Sequence, residues 1–271
     1  MKTLCLLILL GWTQLAFAQN NLTGHAAALF KKAEASRQFS TVAGLKPEVL
    51  PTTDGQSFLT VWRAKGGTSA PKHWIVSLHG THGFATDDLA IWSPHLKGRD
   101  VGLLSVQWWL GGDNPRDSYY APAQVYREVD LALHKLGVRP GTVMFHGFSR
   151  GSANAYAIAA LDAGRGRKYF ALNVASSGGV GLDYPPTRAI VAGVFGDHPL
   201  KGTRWITSAG GRDPQPDRDG IPGMRRAAAW LKEQGATVVQ SIEDPNSGHG
   251  ALVLNPKNAK RVLDLFLAEQ P

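Results

Sequence analysis

The stretch Val143–Ala153, VMFHGFSRGSA, constrains the fold of this chain more than any other. An apolar run stops at a serine framed by Gly147 and Gly151, and alanine-rich sequence follows to Ala163. The run reads as a buried strand and Arg150–Ala163 as a helix, so the chain must turn sharply between them. In so tight a turn, side chains two positions either side of the serine would strike neighbouring backbone. The turn lifts the Ser149 hydroxyl clear of the main chain. The helix N-terminus that follows faces any negative charge developing there. A plain strand-to-helix turn would also use these glycines, so the other strand ends must decide whether Ser149 is a nucleophile.

From about Ser57 onward, short apolar runs alternate with helical patterns. Strands are expected at Phe58–Arg63, Trp74–Leu78, Gly102–Val106, Thr142–His146, Phe170–Val174, Arg204–Ser208 and Thr237–Ile242. Helices are expected at Ala26–Phe39, Ala123–Leu136, Arg150–Ala163, Ile221–Gln234 and Asn255–Glu269. Val125, Val129, Leu133 and Leu136 recur at helical spacing in the second of these. Leu45–Gln56 reads as a connection, and Gly178–Gly202 as a loop or short cap. Buried strands separated by helices predict an α/β fold with a mostly parallel sheet covered on both faces. In such sheets ligands bind beyond the carboxyl ends of the strands.

Each expected strand end carries a distinctive stretch. Trp74–Leu78 leads into His79-Gly80-Thr81-His82-Gly83. An acyl carbon under attack needs two N–H donors for its oxyanion. The backbone N–H groups of Thr81 and Arg150 are placed to supply them. The H-x-x-H spacing alone, without companion ligands, falls short of a metal site. Arg204–Ser208 leads to Gly210-Gly211-Arg212-Asp213-Pro214, where Asp213 is a candidate acid, with Asp217 and Asp219 as neighbouring alternatives. Thr237–Ile242 leads to Ser247-Gly248-His249-Gly250, where a histidine between glycines can reach across to Ser149. Ser149, Asp213 and His249 thus follow three expected strands in the order serine, acid, histidine. Trp108 and Trp109 follow the Gly102–Val106 strand, and Phe148 precedes the serine. All three are assigned to a substrate pocket for apolar or aromatic groups. The alternative for the tryptophans is to cover the core beneath a loop.

Composition excludes several classes. The chain has 271 residues, of which 43% are hydrophobic, as in an ordinary globular protein. Met1-Lys2, the apolar run Leu4–Leu10 and Ala16-Phe17-Ala18 read as a secretory signal peptide, residues 1–18, cleaved near Ala18. Residues 19–271 are then expected to form a single domain, secreted or periplasmic. The only cysteine, Cys5, lies within the leader, so the mature chain would have neither disulfide nor thiol nucleophile. The net charge of +8 comes from scattered basic residues with no basic helix, which disfavours nucleic acid. No apolar stretch reaches the roughly 18 residues of a membrane span, so no stable membrane insertion is expected.

The motifs HGT at 79–81, GFSRG at 147–151, GGRDP at 210–214 and SGHG at 247–250 resemble those of the α/β-hydrolase fold superfamily. The resemblance extends over nearly all of the mature sequence. More closely, the chain is similar to secreted bacterial esterases of the feruloyl-esterase, polyhydroxyalkanoate-depolymerase and prolyl-oligopeptidase-like neighbourhood. It implies an α/β-hydrolase sheet with a short lid or none. It also implies a Ser149–His249–Asp213 triad and hydrolysis of a small or polymeric carboxylic ester, without a cofactor. A serine peptidase or an acyltransferase would use the same triad. A silent binding module on this fold would lack a triad member, and this chain lacks none.

Overall fold

The computed structural model describes residues 21–64, 70–114, 117–164 and 166–268. The predicted signal peptide lies outside the described residues, as does Glu269 at the expected end of the last helix. Among the described residues, no helix is long and apolar enough to cross a membrane.

Eight strands form one sheet in the order β1-β2-β4-β3-β5-β6-β7-β8. They are β1 (Glu48–Pro51), β2 (Phe58–Arg63), β3 (His73–Leu78), β4 (Val101–Val106), β5 (Val143–Phe148), β6 (Phe170–Ser176), β7 (Arg204–Gly210) and β8 (Thr237–Asp244). β1 and β2 pair antiparallel to their neighbours, and all the other pairings are parallel. Among the described residues, eight helices accompany the strands: α1 (Gly24–Glu34), α2 (Phe39–Ala43), α3 (Ala85–Leu96), α4 (Pro122–Lys135), α5 (Arg150–Gly164), α6 (Pro185–Val191), α7 (Ile221–Glu233) and α8 (Pro256–Ala268).

The sheet separates two cores. One buries Val125, Val129 and Leu133 of α4, the alanine face of α5, and Met224 and Leu231 of α7 against Val76, Leu78 and Phe145. The other buries Leu89, Trp92 and Leu96 of α3 and Val262, Leu263 and Phe266 of α8 against Ile75, Leu103 and Met144. Each such side chain contributes roughly 1.5–3 kcal/mol by leaving water. α4 shows how local sequence bounds an element. Pro122 opens it, where a missing N–H costs nothing. Gly137 at φ 68° closes it, while the Val138 N–H reaches back to the Leu133 carbonyl.

The expected strands all form, most of them one or two residues longer than the pattern suggested. Two expectations need correction, and two helices had no expectation of their own. Leu45–Gln56 is more than a connection, because it holds the edge strand β1, which registers Glu48 opposite Val61. The expected helix Ala26–Phe39 breaks into α1 and α2. α6 lies inside the Gly178–Gly202 segment, and its Pro185-Pro186 start suits a first helical turn. α3 was not anticipated, because Asp87, Asp88, Ser93 and Pro94 interrupt its apolar periodicity. Yet Asp88 and Ser93 are buried there along with Leu89 and Trp92.

Candidate active site

β5 ends in the expected turn. Ser149 adopts φ 54°, a left-handed conformation that costs a non-glycine residue about 1–2 kcal/mol. The surroundings hold it there. Its N–H donates to the Ser176 carbonyl at 2.8 Å, and its own carbonyl accepts from Ala153 at 3.1 Å. A Cβ on Gly147 would lie 2.5 Å from the Gly151 carbonyl oxygen. One on Gly151 would strike the carbonyls of Leu78 and His79, and one on Gly178 would strike that of Ser149. Three backbone segments therefore close on the serine where only hydrogen fits.

Three side chains from three loops meet. The Ser149 hydroxyl lies 2.8 Å from His249 Nε2, and His249 Nδ1 lies 2.7 Å from Asp213 Oδ2. An ionised carboxylate only accepts, so Nδ1 carries the hydrogen and Nε2 is left to receive the serine proton. The Asp213 side chain is fully buried, and its Oδ1 accepts the Gln215 N–H at 2.8 Å. Asp217 is exposed. Asp219 is buried nearby, with a carboxylate oxygen within 4.8 Å of the His249 and Asp213 ligand atoms, but its carboxylate is held by Arg218 at 2.6 Å. Of the three sequence candidates, Asp213 is the one on the imidazole. The Phe148 ring meets His249 edge to face at 5.1 Å.

The loop carrying His249 hangs on Asp244 at the end of β8. That carboxylate accepts from Ser247 Oγ at 2.7 Å, Asn255 Nδ2 at 2.6 Å, the Asn246 N–H at 3.1 Å and Asn258 Nδ2 at 3.1 Å. The Ser247 hydroxyl and the Asn255 amide hold its pKa down at about 2. Sequence reasoning passed over Asp244. An aspartate before proline reads as a turn former, and two of its donors sit 11 and 14 residues away.

On the other side of Ser149, Gly80 packs so closely that a Cβ there would lie 3.1 Å from Ser149 Cβ. Thr81 follows it and lines the cavity that opens on Ser149. His79 is buried, and its Nδ1 donates to the Gly80 carbonyl at 2.8 Å. Burial pushes its pKa down to about 4, so the ring is neutral. Trp108 and Trp109 need correction. Trp108 is buried beneath this loop and donates its Nε1–H to the His79 carbonyl at 3.0 Å. Trp109 packs on the rings of His82 and Phe84 and donates to the Gly112 carbonyl. Neither is among the residues lining the cavity that opens on Ser149; Trp108 is buried, and Trp109 stays partly exposed. Phe148 does line the cavity.

That cavity holds about 420 Å³, and its walls include Gln38, His79, Asp87, Asp88, Ile91 and Phe148. Burial pushes Asp88 up to about 8, partly offset by the Ser77 and Ser105 hydroxyls, so it is protonated at neutral pH. A larger, shallower depression of about 560 Å³ runs along α8 past Lys257, Lys260 and Arg261, and shares no residue with the site. Arg150, next to the nucleophile, lays its guanidinium 4.2 Å from the Tyr119 ring and 5.7 Å from that of Tyr184.

No known protein family matches the sequence, and neither does any curated protein. Solved structures do match the fold. A hyperthermophilic esterase from the archaeon Pyrobaculum calidifontis gives a TM-score of 0.60 at 18% identity, covering 90% of this chain and 92% of that one. A fungal esterase from Rhizomucor miehei gives 0.61 at 13% identity, covering 91% and 96%. Brefeldin A esterase, described as a bacterial homologue of human hormone sensitive lipase, gives 0.56 at 17% identity, covering 82% and 74%. The chain has the α/β-hydrolase fold. The identities are too low for the likeness to carry more than that.

Proposed function

We propose that the chain is a serine hydrolase of carboxylic esters. One observation carries the reading: a single line of hydrogen bonds, 2.8 Å and 2.7 Å long, from Ser149 through His249 to Asp213. Ser149 attacks the acyl carbon as its proton passes to His249 Nε2. Asp213 holds the imidazole tautomer and stabilises the imidazolium. The backbone N–H groups of Thr81 and Arg150 take the oxyanion, and the N-terminus of α5 adds its field. His249 returns the proton to the departing alcohol. Water then enters by the same route and frees the acid, restoring the Ser149 hydroxyl.

The esterases of the same fold support this reading. The Met1–Ala18 leader supports an exported enzyme, in the periplasm or outside the cell. Hydrolysis of short p-nitrophenyl esters by the wild type and by Ser149→Ala tests it. Loss of the nucleophile lowers kcat by about 10⁴-fold or more. Equal activity in the two proteins refutes the reading.

A further inference from the structure

The loop after β3 carries a strained residue at its tip. His82 adopts φ 55°, a left-handed conformation that a non-glycine residue keeps only where its surroundings impose it. Thr81 and His82 are both exposed, so burial does not impose it. Two contacts from the segment between β4 and α4 do. The His82 ring packs on that of Trp109, with centroids 5.1 Å apart. The His82 N–H donates to the Tyr119 hydroxyl at 2.9 Å.

That hydroxyl has a fixed position. Trp109 and Tyr119 pair as an antiparallel bridge. Beside them the Leu110 N–H donates to the Ser118 carbonyl at 2.8 Å, and the Tyr120 N–H to the Trp108 carbonyl at 2.9 Å. The Tyr119 ring lies 4.6 Å from that of Trp108, which itself donates to the His79 carbonyl. Gln107, at the start of the same segment, accepts the Ala85 N–H at 2.8 Å. The 79–85 loop is therefore gripped at its start, its tip and its end. Burial pushes the Tyr119 hydroxyl up, so it stays neutral where a histidine-based triad works.

Tyr119 also reaches the other side of the nucleophile. The Arg150 guanidinium lies 4.2 Å from the centre of its ring. In the mechanism proposed above, the oxyanion rests on the N–H groups of Thr81 and Arg150. Such donors act only if they are in place before the charge develops. The His82 N–H belongs to the rigid peptide that joins Thr81 to His82, so holding it restricts how Thr81 can turn.

We propose that Tyr119 is a positioning residue of the oxyanion hole: its hydroxyl holds the His82 N–H, and through it the Thr81 peptide, at a set spacing from Arg150. The proposal deepens the ester-hydrolase reading and rests on it.

Tyr119→Phe tests it, because the ring and its packing remain and only the acceptor is lost. The substrates are p-nitrophenyl acetate and its thiono counterpart, O-p-nitrophenyl thionoacetate. Sulfur accepts hydrogen bonds poorly, so the thionoester gains little from an oxyanion hole. In Tyr119→Phe, kcat/KM for the oxygen ester falls about tenfold with KM within about twofold, and the ester-to-thionoester ratio of kcat/KM falls at least about threefold. A role in packing alone lowers both rates together and leaves that ratio unchanged. Should the variant fail to fold, amide hydrogen exchange in the wild type takes its place. The exposed His82 N–H exchanges at least about tenfold slower than an unbonded amide. A fluorophosphonate probe reports Ser149 in parallel. An unchanged ratio, or free exchange at His82, in protein that the probe labels overturns the Tyr119 proposal and leaves the hydrolase reading standing. A wild type that the probe does not label and that cleaves neither ester removes both.

Discussion

Ser149 and His249 face each other across 2.8 Å, yet the protein holds them by different physics. The serine is held by exclusion. Gly147, Gly151 and Gly178 leave no room for any other path of the chain, and the strain at φ 54° is locked in by contacts between backbones. The histidine is held more by attraction. Its loop has no regular structure; it packs on Gly210 and Gly211, takes the Arg212 N–H at the Ser247 carbonyl, and gathers four donors on the Asp244 carboxylate. Steric positioning is insensitive to pH and salt but intolerant of a single methyl group. The hydrogen-bonded part of the positioning tolerates changes of size but depends on the charge of Asp244.

The difference can be broken from either side. The largest effect is expected from Gly151→Ala. The new Cβ meets the Leu78 and His79 carbonyls, which are backbone and cannot step aside. We expect a cost of about 1–3 kcal/mol, a Tm lower by roughly 5 °C, and kcat reduced by about 100-fold or more as the elbow shifts. Thermal unfolding and ester kinetics measured together check this. A variant with wild-type Tm and rate would show that the elbow is not sterically closed.

Asp244→Ala is next. It releases the His249 loop while leaving both cores intact. The expected outcome is a kcat lower by about 10-fold to 100-fold, a nearly unchanged KM and a Tm lower by about 2–4 °C. Its pH signature sharpens the contrast. The folded-state pKa of about 2 lies below the ordinary 3.8. The contribution of this carboxylate is therefore fully present above about pH 4, and is lost as pH falls through 2. Acid unfolding of the wild type should show this loss, and Asp244→Ala should lack it. Identical acid profiles for the two proteins would remove Asp244 from its role as anchor.

The smallest effect is expected one residue away. Glu243 pairs with Arg225 at 2.6 Å on the open surface. Solvent screens such a pair, so Arg225→Ala should leave Tm within about 1 °C and the rate unchanged. A large effect there would mean that the β8 end is held by charge in general and not by the Asp244 network.

The parts of the site visible in the amino-acid sequence are those that local chemistry dictates. Glycines two residues either side of Ser149 announce a turn too tight for side chains. Asp213 follows the buried strand β7, and His249 follows the edge strand β8, in which Ile242 is the buried residue. The inner strands were visible because burial on both faces writes a continuous apolar pattern. Where that pattern lapses, the reading lapsed too. β1 is a short edge strand ending in Pro51, with too few residues to show a period. α3 buries Asp88 and Ser93, and no local rule distinguishes a buried aspartate from a solvated one.

The chain alone therefore determined seven of the eight strands and the turn at Ser149, and singled out Ser149 and His249 as candidates, because these follow from local pattern and backbone sterics within a few residues. Only the tertiary structure decided which aspartate meets the imidazole, that Trp108 sits beneath the His79 loop, and that Asp88 is buried beside Ser77 and Ser105. Those outcomes depend on which groups lose water and what they meet when they do. That is a property of distant segments brought together, and no stretch of sequence carries it.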